Sequence, residues 1–138
     1  MPKHNPRITV VNDNPEFLEL MHELLAAESG YDTTTIDADT IHDDIEPIRL
    51  SHPDLLIVDL RSRDDPLDGW ALLQSIRADA ELGDLPLILC SGDLQALQEH
   101  RQEIDEDPKV ETLAKPFQVE DMEKLVRQFL GEAGSSNP

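Results

Sequence analysis

Leu55-Leu56-Ile57-Val58-Asp59 is an unbroken apolar run that ends on an acid, set between Pro53-Asp54 and the polar stretch Arg61-Ser62-Arg63-Asp64-Asp65-Pro66. Consecutive apolar residues between turn-forming sequence describe a strand covered on both faces, as in a parallel sheet sandwiched by helices. An acid at the carboxyl end of such a strand stands where an open α/β sheet opens its ligand crevice. Other runs end in a similar way. Ile8-Thr9-Val10-Val11 leads into Asn12-Asp13, and Val110-Glu111-Thr112-Leu113-Ala114 leads into Lys115-Pro116. Carboxylates and a lysine gathered at one sheet edge point to a divalent metal and a phosphoryl group, the acids serving the cation and the lysine the anion.

Outward from that strand, the chain alternates strand and helix. Asn14-Pro15 is a helix start, with Asn as cap and Pro in the first turn. Phe17, Leu18, Leu20, Met21, Leu24 and Leu25 follow at helical spacing, and Gly30 supplies the stop. Thr33-Thr34-Thr35-Ile36 is a second, short strand, and the segment from Thr40 to Ser51 contains a second helix that Pro47 must shorten or bend. Beyond the polar loop after Asp59, a third helix opens near Asp68-Gly69-Trp70 and runs to about Ala78. Leu85-Pro86 introduces a fourth strand, Leu87 to Cys90, and a fourth helix spans Asp93 to about Ile104. After the break at Asp105-Glu106-Asp107-Pro108, the fifth strand ends at Lys115. A last helix from Val119 to Leu130 carries the apolar stripe Val119, Met122, Leu125, Val126, Phe129 and Leu130. The expected fold is α/β: a doubly wound five-stranded parallel sheet flanked by five helices and joined by right-handed crossovers. One domain covers 5–131, and the small, polar stretch 132–138 is expected to be a disordered tail.

Bulk properties narrow the function. A chain of 138 residues with 38% apolar content builds one buried core. Its 11 basic and 30 acidic residues leave a net charge of −19, which repels phosphate backbones and excludes direct nucleic-acid binding. The same field concentrates divalent cations and opposes an approaching phosphate donor, so a lysine is needed to offset it locally. Cys90 is the single cysteine, which permits no internal disulfide and suits a reducing cytoplasm; within Leu87-Ile88-Leu89-Cys90 it reads as a small buried hydrophobe. The start, Met1-Pro2-Lys3-His4-Asn5-Pro6, has no apolar segment of signal-peptide type, and no run has the length of a membrane span. His4, His22, His42, His52 and His100 share no metal-ligand spacing.

Val10-Val11-Asn12-Asp13, Leu56-Ile57-Val58-Asp59-Leu60, Asp68-Gly69, Leu89-Cys90-Ser91-Gly92 and Lys115-Pro116-Phe117, in this order and each at a strand end or the loop beyond it, resemble the receiver domain of two-component response regulators. The resemblance covers Arg7 to Leu130 and implies the flavodoxin-like receiver topology. It implies a single-domain, chemotaxis-type response regulator in a phosphorelay: a phosphoprotein and signalling domain, not an enzyme in the ordinary sense. Asp59 would accept the phosphoryl group, assisted by Lys115 as a point charge and by the Ser91 hydroxyl. Mg²⁺ would be held by Asp13, Asp59 and the backbone carbonyl of Arg61, with Asn12 acting through a water. Ser91 and the residue at position 112 would form the switch, and Lys115-Pro116 would be joined by a cis peptide bond. Asp68 would cap the third helix, and Trp70 and Phe117 would pack. The partners implied are a sensor histidine kinase or histidine phosphotransfer protein and an effector protein, with the chain a monomer or weak homodimer in the cytoplasm.

Three features depart from that pattern. Asn12 stands where the family has the first of its paired acids, so metal binding is expected to be weaker. Thr112 stands where an aromatic ring commonly reports phosphorylation, and a threonine cannot supply the ring's area. The loop after Asp59 is long, and Arg61 and Asp93, each two residues beyond a site residue, would flank the path of an attacking water as a gate. A degenerate receiver acting as a phosphorylation-independent adaptor is the alternative that Asn12 and Thr112 favour. A haloacid-dehalogenase-like phosphatase would need an acid at Arg61. A flavodoxin-like electron carrier would need a phosphate-cradling loop in place of Asn12-Asp13-Asn14-Pro15.

Overall fold

A computed structural model describes residues 6–12, 14–28, 30–37, 40–41, 45–59, 69–91, 98–99, 101–114 and 118–130. Five strands, β1 (Arg7–Asn12), β2 (Asp32–Asp37), β3 (Leu55–Asp59), β4 (Leu87–Ser91) and β5 (Val110–Ala114), form one sheet in the order β2-β1-β3-β4-β5. All four pairings are parallel. The helices are α1 (Pro15–His22), α2 (Glu46–Ser51), α3 (Gly69–Ala78), α4 (Arg101–Glu106) and α5 (Val119–Leu130). The expected doubly wound sheet with five helices is therefore the fold observed.

Alternation along the strands sorts the apolar residues onto two faces. Ile8 and Val10 of β1, Leu55 and Ile57 of β3, and Ile88 and Cys90 of β4 meet Met21, Leu24, Leu25, Met122 and Val126 on the α1 and α5 side. Val11, Leu56, Val58, Leu87 and Leu89 meet Ile48, Leu72, Leu73, Ile76 and Ile104 on the side of α2, α3 and α4. The continuous runs in β3 and β4 are read this way because both of their faces are covered: Leu55 to Val58 and Leu87 to Cys90 are all buried. Each such side chain stabilises the fold by about 1.5–3 kcal/mol.

Local chemistry sets where the helices begin and end. Asn14 caps α1, its side-chain oxygen accepting from the Glu16 and Phe17 backbone N–H groups at 2.9 and 3.4 Å, with Pro15 in the first turn. The expected continuous α-helix to Gly30 changes character after His22: Glu23–Glu28 is a π-helical segment. Gly30 closes it with φ of 80°, and the Tyr31 N–H donates to the Leu25 carbonyl at 2.8 Å. As expected, Pro47 shortens the helix within Thr40 to Ser51: it occupies the first turn, so α2 starts at Glu46. That is the helical position where a missing N–H costs nothing. α2 ends at His52, a left-handed residue (φ 50°) followed by Pro53. α4 runs two residues past Ile104, to Glu106; its expected beginning at Asp93 lies outside the described residues, as do the loop 60–68 and the tail 131–138.

The sheet's two ends differ. Where the strands begin, side chains tie loops together: Asp54 accepts from the Arg7 N–H at 2.8 Å, and Arg77 donates to Asp107 and to the Leu85 carbonyl, both at 2.7 Å. The carboxyl end is left for the crevice. From β1 the chain moves outward to β2 and then returns across to β3, so the direction of winding reverses between β1 and β3. Ligand crevices of open α/β sheets form at that reversal, outside the carboxyl ends of the strands.

Candidate functional site

Register decides which residues share that edge. β1 and β3 pair Val10 with Ile57 and Val11 with Val58, so the next step sets Asn12 level with Asp59. β3 and β4 pair Asp59 with Cys90, which puts Ser91 one residue beyond on the adjacent strand. β4 and β5 pair Ser91 with Ala114, the residue before Lys115. Four neighbouring strands thus end on Asn12, Asp59, Ser91 and Ala114 along one sheet edge, the last two a residue farther out than the first two. The alternation that gives Val10 and Ile57 to the α1 and α5 face also assigns positions 12 and 59 to it. Parallel strands lie about 4.8 Å apart.

Asn12 is the one polar side chain of this row that the described residues show in full. It is 3% exposed. Its Oδ1 accepts from the Asn14 backbone N–H at 2.8 Å. That bond settles which end of the amide is oxygen, and it links two consecutive turns, since Asn14 in turn caps α1. The other end, Nδ2, is buried with no hydrogen-bond partner among the described residues. An unsatisfied buried donor costs about 1–3 kcal/mol, so it signals a function or a missing partner. Sequence reasoning marked Asn12 as a lost carboxylate; it did not show that the amide N–H groups would be the end left over.

Asp59 and Ser91 are placed at their strand ends by backbone and register. Asp13, Arg61, Asp93, Lys115 and the Lys115-Pro116 bond lie outside the described residues, as do Asp68 and Phe117. Among the described residues no group of three or more His, Cys, Asp or Glu could hold a metal. Asn12 has the chemistry to serve Mg²⁺ from the outer sphere. Its oxygen keeps one lone pair after accepting from Asn14, enough to accept from a metal-bound water, and it brings no charge.

Thr112 is half-buried on β5, level with Leu89, and shares the α4 side with Val110. A surface cavity of about 260 Å³ lies there, lined by Arg101, Ile104, Asp105, Val110, Glu111 and Thr112. A second cavity, of about 320 Å³, is lined by Arg77, Gly83, Asp84, Glu103, Glu106 and Lys109 at the opposite end of the sheet, away from the row of strand ends. Among the described residues no helix is long and apolar enough to cross a membrane.

Comparison with known proteins agrees with this fold. A family model described as the response regulator receiver domain matches residues 8–127. No curated protein matches the chain. Among solved structures, the chemotaxis protein CheY4 of Vibrio cholerae superposes with a TM-score of 0.73 at 18% identity, covering 91% of this chain and 98% of its own. A response regulator receiver protein from Pseudomonas putida gives 0.71 at 26% identity, with 92% and 99% covered. The receiver domain of a sensor histidine kinase from Pseudomonas aeruginosa PAO1, with a magnesium ion coordinated in its active-site cleft, gives 0.68 at 25% identity, with 92% and 98% covered.

Proposed function

The chain belongs to the response regulator receiver domain family of two-component systems, and from that premise we propose that it is a phosphorelay switch that takes a phosphoryl group onto Asp59. One observation carries the reading: parallel register brings Asn12, Asp59, Ser91 and the residue before Lys115 to one edge of the sheet, with Asn12 and Asp59 level at the reversal between β1 and β3. Asp59 attacks the phosphorus of a phosphohistidine borne by a sensor kinase or phosphotransfer protein. A P–O bond to the carboxylate forms as the P–N bond breaks, and the imidazole nitrogen keeps the electron pair and takes a proton from solvent. Two anions meet in this step, so its barrier falls chiefly through charge neutralisation and positioning.

Lys115 places a cation against the phosphoryl oxygens, and the Ser91 hydroxyl donates to another of them. Mg²⁺, when bound, offsets the negative charge of the carboxylates and the phosphoryl group; Asp13, Asp59 and the Arg61 carbonyl would hold it, with Asn12 reaching a bound water through Oδ1. Arg61 and Asp93 flank the approach of the water that later hydrolyses the acyl phosphate, slowing its loss. Ser91 and Thr112 carry the change toward α4 and β5, and an effector protein reads it there.

Thr112 supports a second reading. It offers no ring to fill the cavity between α4 and β5, as an adaptor independent of phosphorylation would not require. Acetyl phosphate with Mg²⁺ separates the two by intact mass. A phosphoryl adduct that Asp59→Asn abolishes supports the switch. No adduct on the wild-type chain supports the adaptor.

A further inference from the structure

Resting on the reading of Asp59 as phosphoryl acceptor, the geometry points to Asn12 as a hydrogen-bond donor to the phosphoryl group that Asp59 carries. Asn12 is 3% exposed, and its Nδ2 has no partner among the described residues. The bond from the Asn14 N–H to Oδ1 prevents the amide from reversing, so the unpartnered end is the end with two N–H groups. Register sets the residue level with Asp59 on the neighbouring strand, and alternation assigns both positions to one sheet face.

The chemistry selects the occupant. A cation gives nothing to an N–H donor. A metal-bound water points its hydrogens outward, so it pairs with Oδ1 and leaves Nδ2 as it was. A non-bridging phosphoryl oxygen is a strong anionic acceptor, and hydrogen bonds to charged oxygens are about twice as strong as neutral ones. An acid at this position would recruit the metal but repel the phosphoryl oxygens. The amide gives up part of the attraction for metal and gains a direct contact with the transferred group. Asn12 is thereby a catalytic residue acting on the phosphoryl group and not simply a weakened metal ligand.

The two roles separate by sign in Asn12→Asp, which keeps the shape, removes the donor and adds a charge. With the full chain, titration of Mg²⁺ alone by calorimetry should show tighter binding in Asn12→Asp. Beryllium fluoride at saturating Mg²⁺, followed by fluorine NMR, should then be held about tenfold or more weakly than by the wild type, the loss expected for a hydrogen bond to a charged acceptor. The acetyl phosphate adduct should decay faster in step. Equal or tighter beryllium fluoride binding in Asn12→Asp overturns the proposal while leaving Asp59 as acceptor. If the wild type binds no beryllium fluoride and forms no adduct, the acceptor reading and the proposal fail together. Thermal unfolding checks that the variant is folded. Should the buried carboxylate prevent folding, Asn12→Ala must show the same loss at saturating Mg²⁺, and its absence overturns the proposal.

Discussion

Arg77→Met should destabilise the protein by about 2–3 kcal/mol, and the loss should depend on pH. Arg77 leaves the last turn of α3 and holds two loops at once. Its Nε donates to Asp107 Oδ2 at 2.7 Å, and its Nη1 donates to the carbonyls of Leu85 at 2.7 Å and Gly83 at 3.3 Å. A hydrogen bond between charged groups contributes about 1.5–3 kcal/mol. The two side chains are 22% and 24% exposed, so solvent screening favours the low end, about 1.5 kcal/mol. Leu85 is buried, and a carbonyl there that loses its donor costs about 1 kcal/mol more. Methionine keeps the apolar stem in place, which confines the change to the polar head. For a domain of this size the sum corresponds to a fall of about 6–12 °C in Tm.

The pH dependence follows from Asp107. Burial pulls its carboxyl upward, but the Arg77 guanidinium, the Lys109 N–H and the nearby positive charges outweigh it and hold its pKa below the ordinary carboxylate value. Stability from a depressed acid is complete above the unfolded pKa and is lost as pH falls through the folded one. Urea unfolding of wild type and Arg77→Met should therefore differ most near neutrality, and the gap should narrow in acid to the share carried by Leu85. A loss below about 0.5 kcal/mol, or a gap equal at pH 7 and pH 3, would refute the reasoning.

Other expectations are simpler. Asn14→Ala should cost about 1 kcal/mol in thermal unfolding, because the Glu16 and Phe17 N–H groups lose their cap. Leu25→Ala should cost about 2–5 kcal/mol by urea unfolding, since Leu25 is fully buried in the core on the α1 and α5 side of the sheet. The Asp79 carboxyl is held low by its bond from Arg49, and by the Glu81 and Leu82 N–H groups, against an opposing pull from burial. Asp79→Asn should thus flatten the loss of stability on acidification through the folded pKa, measured as Tm against pH, with the variant below the wild type by a constant margin above the ordinary carboxylate range.

The strands were legible because each is a run whose length and turn-forming borders admit little else: Leu55 to Val58 and Leu87 to Cys90 are buried on both faces, and the pattern says so. The strand ends followed from them, which is why Asn12, Asp59 and Ser91 could be set at one edge before any coordinates. Other features depend on relations the one-dimensional pattern does not carry. Leu24 and Leu25 fit an α-helix and a π-helix equally well, so the change after His22 was invisible. Pro47 announced that the second helix would be shortened or bent, and left open which of the two it would be. Nothing in the sequence singles out Arg77, because Leu85 and Asp107 come to it only through the fold. The orientation of the Asn12 amide rests on one backbone N–H two residues away, a contact no composition or spacing reveals.

Among the described residues β2 pairs with β1 on one side alone, which leaves its other side a row of backbone donors and acceptors without a strand partner there. Its sequence, Asp-Thr-Thr-Thr-Ile-Asp, sets an acid at each end of that row. Two copies meeting there in antiparallel fashion would bring Asp32 of each beside Asp37 of the other, so every attempt at self-templating meets like charges twice. The acidity then acts as insurance against aggregation at this edge of the sheet. It is insurance that salt weakens: in concentrated electrolyte, where surface charges are screened within a few ångströms, the repulsion that guards this edge fades.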